Sequence, residues 1–487
     1  MNKYAFLKTP IAVAVIVALA CGLAGAQGLR ENVDRLLGDP KLKGAAVGVR
    51  IVDASTGAVL YSYHADEVMS VASNAKIVTT AAALDMLGSK FELTTTLVAR
   101  GSVSAGALNG DLVLVGRGDP SFSTHWVSDV MEPVRRLARE AAAGGINAVT
   151  GDIIADDTYF DREFWCESWP KDQWIQWYEA PVSAMAFNDN CVDVVVSAGA
   201  AEGAPAGLRF YPAVDYVNLA NRVLTTTNRK KHGYAFYRGK YDNNVIAKGY
   251  FIKGGADVSD NFTVYDPALY LASALKKALS DAGINVAGSV RLMRREEAVS
   301  SSPSRVVAVN RITLAEVARY CNVNSQNLYA EMILKTLGRE AAGHGSFQGG
   351  ADGVADFLKK LRIQPGTYHV ADGSGLSRET KYSAFIMTEV LRHMYRSSEI
   401  IAFKDSLPLA GQDGTMENRL TGDAYRGKVR AKTGYILGAS ALSGYALTAN
   451  GKTLAFSIIM NNFKGSNRTV AKPIQDDICR AMIDSRP

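Results

Sequence analysis

The sequence predicts an α+β protein in which an antiparallel sheet flanked by helices is split by a large, mainly β insertion, and three observations lead there. At 487 residues and 47% hydrophobic content, the chain exceeds what one core organises, so two or more domains are expected. Strand and helix patterns of ordinary length occupy both ends. Between them, over about 91–304, short alternating strands dominate.

The first element is a leader. Lys3 and Lys8 precede the apolar run Ile11–Ala20, and Ala24-Gly25-Ala26 offers a small-residue cleavage site, the pattern of a secretory signal over 1–26. The run is short for a membrane span. Cys21 raises lipid attachment as an alternative, against which stands Ala18, where such signals favour a larger aliphatic residue.

Gly48–Val52 and Ala58–Ser62 read as strands around the Ser55-Thr56-Gly57 turn, followed by a loop and a helix. Ile77, Ala81, Leu84 and Leu87 recur at i, i+4, i+7 and i+10, which predicts one buried apolar face. Within the insertion, Leu112–Val115, Ile153–Ala155 and Val192–Ser197 read as strands, and Pro133–Ala143 and Pro267–Ala282 as helices. The Gly- and Ser-rich stretches Gly101–Gly110 and Gly199–Gly207 are expected to mark subdomain joints. Helical runs follow at Leu314–Tyr320 and Leu328–Leu337, then strands around Val429 and Ala431, at Leu442–Leu447 and at Thr453–Met460. The last helix sets Ile474, Ile478 and Met482 on the sheet and lacks the basic amphipathic character of a membrane anchor. No internal repeat is evident.

Composition excludes several classes. The net charge of +6, two units of which lie in Lys3 and Lys8, is a mild excess and not a nucleic-acid signature; Arg229-Lys230-Lys231-His232 reads as a solvated loop tip. Beyond the leader stand Cys166, Cys191, Cys321 and Cys479. An exported chain could bridge Cys166 to Cys191, worth roughly 3–4 kcal/mol in the chain-entropy picture, with four buried thiols as the alternative. No C-x-x-C, H-E-x-x-H or G-x-S-x-G occurs, so neither a metal nor a histidine-activated serine is expected, and no cofactor is implied.

The chemistry lies in three ordered motifs: Ser73-Asn74-Ala75-Lys76, Ser325-Gln326-Asn327 and Lys432-Thr433-Gly434. A chain of this length should match S-x-x-K roughly twice by chance, so each copy has to be weighed by context. In Ser168-Trp169-Pro170-Lys171 the proline opposes the helix that would align Ser and Lys. Ser273-Ala274-Leu275-Lys276 falls inside a helix opened by Asp266-Pro267, which commits its N–H to the helix ladder. Ser73 instead sits at a helix N-terminus, with Lys76 one turn on. Burial and a second cation, Lys432, both disfavour the ammonium form, which lets a lysine act as base. Ser259-Asp260-Asn261 is also set aside, because it precedes a long helix, whereas Ser325 separates two helices and can face a cleft. Lys432-Thr433-Gly434 lies on a strand, where the glycine is expected to let a substrate backbone approach.

This triplet is shared by penicillin-binding proteins and class A β-lactamases. The chain most resembles the class C low-molecular-mass penicillin-binding proteins, the D-alanyl-D-alanine carboxypeptidase/endopeptidase family of peptidase S13. Further matching stretches are Asn327-Leu-Tyr-Ala-Glu331, Gly151-Asp-Ile-Ile-Ala-Asp-Asp157, Ala180-Pro-Val-Ser-Ala184 and Asp372-Gly-Ser-Gly-Leu-Ser-Arg378. Ser325 lies 249 positions after Lys76, the interval where that family carries inserted domains.

The resemblance implies a β-lactamase/transpeptidase-like catalytic domain made of 27–90 plus 305–487, split by an insertion over 91–304. It also implies roles. Ser73 would attack the penultimate D-alanine carbonyl, with Lys76 as base and Ser325 and Lys432 relaying a proton to the leaving amine. Asn327 would hold the substrate amide and Lys76; Lys432 and Thr433 the terminal carboxylate. The N–H groups of Ser73 and Tyr435 would form an oxyanion hole, and Gly434 would lie among the substrate-binding residues. Asp157, Phe160 and Arg378 would line a side-chain pocket for a diaminopimelate end; a structural salt bridge or two solvated side chains are the alternatives. The chain departs from the family pattern at Val71, where proline is frequent, and at Tyr435, where a small residue is frequent. Implied partners are peptidoglycan stem peptides ending in D-Ala-D-Ala and β-lactams as covalent inhibitors, with no nucleic acid and at most loose membrane association, in the periplasm. A serine β-lactamase and a non-catalytic peptidoglycan-binding protein are the alternatives. The first wants a deacylating Glu loop that the sequence does not display; the second would more readily have lost Ser73 or Lys76. Carboxypeptidase and endopeptidase differ only beyond the scissile bond, which sequence does not resolve.

Overall fold

The computed structural model describes residues 27–294, 297 and 304–487. The expected signal segment and Cys21 lie outside the described residues. The chain forms two compact units: one from residues up to Ser89 with Ala318–Gln326 and Gly353–Pro487, the other from Lys90–Val317 with Asn327–Asp352.

The first unit is built on a five-stranded antiparallel sheet in the order Val429–Ile436, Ala439–Leu447, Thr453–Asn461, Ala46–Asp53, Val59–Tyr63. The expected N-terminal hairpin thus completes a sheet begun by the last three strands of the chain. Ala439–Leu447 and Thr453–Asn461 are buried almost continuously, not alternately, because both sheet faces are covered. On one face a helix over 27–37 and the terminal helix Ala471–Asp484 close a core with Leu29, Val33, Val49, Ile51, Ile458, Ile474, Ile478 and Met482. On the other lies Ala384–Arg396. There the buried Arg50 donates 2.7 Å to Glu389 and 2.6 Å to Thr388, fastening strand to helix.

The helix Ala75–Leu87 differs from its expected amphipathic form. Every residue from Ala75 to Leu84 is buried, while Leu87 is only half-buried. It is a central helix, in contact with Ala384–Arg396 and Ile400–Ser406, and an element enclosed on all sides needs no polar face. Its threonines satisfy themselves inward: Thr80 Oγ1 donates to Lys76 O at 2.7 Å.

In the second unit the long hairpin Glu92–Ser104 and Ala107–Arg117 is extended by Ser304–Thr313 and, through parallel pairings, by Ala148–Val149, Ile153–Asp156, Asn285–Val286 and Val290–Leu292 into a seven-stranded mixed sheet. Helices Met131–Ala143 and Pro267–Asp281 pack on it and on each other. Two three-stranded sheets complete the unit: Val258–Thr263, Cys191–Ser197, Gly207–Tyr211, and Asn218–Thr226, Asn244–Ile252, Gly233–Tyr237.

The expected subdomain joints are instead parts of hairpins. Gly101 and Gly110 face each other in the ladder with φ of +135° and +152°, and a Cβ on either would strike the opposing backbone within 2.3 Å. Glycine here serves close strand approach, not a break. Gly199–Gly207 connects two strands that pair antiparallel. Nor is the Cys166–Cys191 bridge formed: Cys166, Cys191, Cys321 and Cys479 are all buried thiols. Burial pushes the Cys191 thiol well up.

Ile458 is fully buried in the first unit's core whereas Val59 is half exposed on an edge strand. Ile458→Ala should therefore destabilise the protein by about 2–5 kcal/mol, read as a lower urea midpoint, and Val59→Ala should leave the midpoint nearly unchanged.

Candidate active site

The first and third motifs meet at one tight turn. Ala72–Asn74 forms a single 3₁₀ turn that runs directly into Ala75–Leu87, with Asn74 N–H bonded to Val71 O at 3.1 Å and Ala72 at φ +48°. A non-glycine residue in the left-handed region is strained and needs its surroundings to hold it. Two neighbours do so. A Cβ on Gly375 (φ +74°) would lie 1.9 Å from Ala72 O, and a Cβ on Gly434 would lie 2.5 Å from Val71 O and 3.1 Å from Asn74 N. The turn is wedged between the loop that holds Gly375 and the strand Val429–Ile436. The expectation for Gly434 is thereby corrected: its missing side chain first admits the Ser73 turn against the strand.

Helical spacing puts Lys76 on the face of Ser73. Lys76 is wholly buried, its Nζ 3.0 Å from Ser73 Oγ and 2.9 Å from Ser374 O, while Ser73 itself is half-buried and reachable. Lys432 is likewise wholly buried, and its Nζ donates to Thr433 O at 3.0 Å. Burial first, and the neighbouring Lys76 ammonium second, hold Lys432 well below the ordinary lysine range; Cys321 opposes this weakly. The cation expected to act on Lys76 is therefore itself acted upon by it.

Several residues that organise this arrangement lie inside the matched stretches without a role assigned by the motifs. Asn74 is buried and donates from Nδ2 to Lys432 O at 2.8 Å and to Ala441 O at 3.4 Å, tying the turn to two strands. Asp372 is the hub of the loop 372–380: its carboxylate accepts from Gly375 N–H (3.1 Å), Ser377 N–H (2.7 Å), Thr380 Oγ1 (2.5 Å) and Ser374 Oγ (3.3 Å). That hub fixes the Ser374 carbonyl on which Lys76 rests, and Thr79 Oγ1 adds a bond to Gly373 O at 2.8 Å. Nothing in the local pattern distinguishes these side chains before the chain is folded.

Ser325 follows the helix Leu314–Asn324 with φ +62°, and Gln326 N–H returns to Cys321 O at 3.0 Å, the bond of a Schellman helix end. A serine occupies the left-handed position that glycine would fill without cost. In the second unit Asn327 opens the helix Asn327–Ala342, and its Nδ2 donates to Tyr178 O at 2.9 Å. Tyr178 belongs to the 3₁₀ turn Trp177–Glu179; the buried Glu179 beside it is pushed up to about 7, by burial foremost.

Thr433 is half-buried and Tyr435 half exposed on the outermost strand of the sheet. The outer edge of that strand is covered at its start, where Ala410 N–H donates to Val429 O and Ala431 N–H to Pro408 O. Among the described residues no strand covers it beyond Ala431. Arg378 is exposed and donates to Leu437 O at 2.5 Å. In the second unit Asp157 is buried and ion-paired with Arg162, which also pairs with Asp266 at 2.5 Å. Burial raises the Asp157 carboxyl to about 6, partly offset by Arg162. Phe160 is buried and stacks on Tyr159 with ring centroids 5.3 Å apart. The alternative serines behave as expected: Ser273 Oγ donates to Leu269 O within its helix, Lys171 bonds Glu167 O in a loop, and Ser259-Asp260-Asn261 lies on the strand Val258–Thr263. Among the described residues no group of three His, Cys, Asp or Glu side chains could hold a metal ion, and no helix is long and apolar enough to cross a membrane.

Known proteins resemble this chain over most of its length. The family model of the D-Ala-D-Ala carboxypeptidase 3 (S13) family matches residues 29–482. A D-alanyl-D-alanine carboxypeptidase of Actinomadura sp. (strain R39) is 34% identical over 484 aligned positions, covering 95% of this chain and 87% of the relative. The D-alanyl-D-alanine carboxypeptidase DacB of Haemophilus influenzae is 24% identical, with 86% of each chain covered. The crystal structure of penicillin binding protein 4 from Haemophilus influenzae superposes with a TM-score of 0.79 at 23% identity, over 92% of this chain and 98% of that one. The chain belongs to the D-Ala-D-Ala carboxypeptidase 3 (S13) family of peptidases.

Proposed function

We propose that this chain is a serine-type D-alanyl-D-alanine carboxypeptidase that binds penicillin covalently at Ser73. The observation that carries the reading is the wholly buried Lys76 amine, 3.0 Å from Ser73 Oγ and held on the Ser374 carbonyl. With Lys76 neutral, one N–H stays on Ser374 O and the nitrogen lone pair faces the serine hydroxyl. Ser73 Oγ attacks the penultimate D-alanine carbonyl, Lys76 takes its proton, and the terminal D-alanine leaves with a proton delivered through Ser325 and Lys432. Water then hydrolyses the ester. When the leaving amine belongs to a neighbouring stem peptide, the same acyl-enzyme performs cross-link hydrolysis.

Lys432 supplies the switch. Burial and the Lys76 ammonium disfavour a proton on Lys432, and a substrate carboxylate bound by Lys432 and Thr433 draws the Lys76 proton onto Lys432. Lys76 is then left as the base. The uncovered strand edge beyond Ala431 suits an extended peptide, whose backbone adds to the sheet. Ser73 and Tyr435 N–H groups are assigned to the oxyanion hole, worth about 3–4 kcal/mol per donor. Asn327 is assigned to the substrate amide, and Asp157, Phe160 and Arg378 to the side chain of a diaminopimelate end, with Arg162 orienting Asp157. The substrate is the peptidoglycan stem peptide, β-lactams are its covalent mimics, and the leader over 1–26 delivers the enzyme to the periplasm. The catalytic domain is taken as 27–90 plus 305–487.

Incubation with fluorescent penicillin, digestion and mass mapping tests the site. A long-lived adduct is expected on Ser73, absent in Ser73→Ala and retained in Ser273→Ala; fast turnover without an adduct would instead indicate a β-lactamase. The lysine pair makes a pH prediction. Because Lys432 is held low, its ammonium is lost below the ordinary lysine range, so kcat/KM for peptide should begin to fall on the alkaline side before that range is reached. Lys432→Arg, which stays charged, should move this limb to higher pH in a full pH–rate profile, while Lys432→Ala should lower kcat/KM by about 10²–10³.

A further inference from the structure

The sheet formed by Asn218–Thr226, Asn244–Ile252 and Gly233–Tyr237 buries one face and presents the other to solvent. Val223, Phe236, Val245, Ala247 and Phe251 point into the core. Alternation sends Arg222, Leu224, Tyr237, Ile246, Lys248 and Tyr250 outward, and Tyr237 and Tyr250 are 48% and 38% exposed. Arg222, Leu224, Tyr237, Lys248 and Tyr250 line an open groove of about 520 Å³.

Charge on this face is predominantly positive, with the Glu202 carboxylate near Lys231 as an acidic neighbour. Arg222 stands directly beside Lys248 in the parallel ladder, Lys248 Nζ lies 4.5 Å from the Tyr237 ring centroid, and Lys231, from the turn Arg229–Lys231, puts its Nζ 5.5 Å from the Tyr250 ring. None of the three strands contains an acidic residue. Among the described residues Arg222, Lys231 and Lys248 form no ion pair. Like charges facing across a ladder are destabilising, so the sheet gives up stability to hold a positive potential over exposed aromatic rings, and a bound anion would relieve it.

We propose that this face docks a peptide-bearing glycan strand, with sugar rings on Tyr237 and Tyr250 and the carboxylates of its stem peptides at Arg222, Lys231 and Lys248. Flat rings under cations match a polymer that alternates apolar ring faces with anionic groups. Three clustered cations are few for a nucleic-acid backbone, whose binding rests on many phosphate contacts. Leu224 and Ile246 are about as exposed as Tyr250, at 37% and 36%, and widen the apolar part of the face. The choice of this polymer rests on the proposed function, whose substrate is a stem peptide with free carboxylates carried on a glycan strand. The surface would hold the enzyme on its polymer while the peptide is processed elsewhere on the chain.

The test uses the full chain pelleted with washed, insoluble peptidoglycan over a salt series, in a Ser73→Ala background that prevents turnover. Arg222→Gln/Lys248→Gln and, separately, Tyr237→Ala/Tyr250→Ala should each weaken retention by about ten-fold or more, and the charge variant should also flatten the salt dependence. Peptidoglycan whose carboxylates have been amidated should retain the parent no better than the charge variant retains on untreated material. With Ser73 present, both double variants should react with fluorescent penicillin at the parent rate, which also reports that they are folded. Unchanged retention in both variants, equal retention on amidated material, or tighter binding to phosphatidylglycerol vesicles than to peptidoglycan would overturn the docking surface. Loss of penicillin reaction in the parent would overturn the proposed function instead, so the two failures are distinguishable.

Discussion

Everything at the candidate site depends on the close fit of the Ser73 turn between two glycines. Gly434 and Gly375 bring the edge strand and the 372–380 loop to within contact of the backbone of Val71, Ala72 and Asn74, leaving no room for a β-carbon on either side. That packing holds Ala72 in a strained conformation and closes Lys76 and Lys432 off from water. A lysine in water is a poor base because its ammonium is strongly solvated. Two lysines enclosed together lose that solvation and repel each other, and the depression of Lys432 by burial and by Lys76 is the visible result.

The supporting shell explains how an unfavourable pair can persist in a folded protein. Lys76 rests on the Ser374 carbonyl, that carbonyl belongs to a loop gathered around the Asp372 carboxylate, and Asn74 stitches the turn to the strands of Lys432 and Ala441. Each contact is modest alone. Together they fix the groups in place before any substrate arrives, so the reaction incurs little reorganisation. The second unit repeats the logic on a smaller scale, where a 3₁₀ turn of its own chain orients the Asn327 amide.

Much of this was legible in the sequence, and for physical reasons. Strand and helix periods located the N-terminal hairpin, the last three strands and the terminal helix, because burial on a repeating element leaves a repeating pattern. A proline in one decoy and an N-cap ahead of another were enough to separate Ser73 from Ser168 and Ser273. Expectations failed where partners are distant in sequence. Gly101 and Gly110 looked like joints but are ladder partners, Ala75–Leu87 looked one-sided but is enclosed, and Cys166 and Cys191 are buried thiols and not a bridge.

The sequence by itself determined the α+β class, the order of the three motifs and the identity of the serine and lysine that meet, since Ser73 and Lys76 are one helical turn apart and need only local geometry to face each other. Only the tertiary structure decided which groups hold them. Asn74, Ser374, Gly375 and the fit of Gly434 against the Ser73 turn follow from contacts spanning some 300 to 360 positions. Local periodicity carries no information about which distant backbone will press against a turn; that is set by how the sheet, the central helix and the loop close on one another.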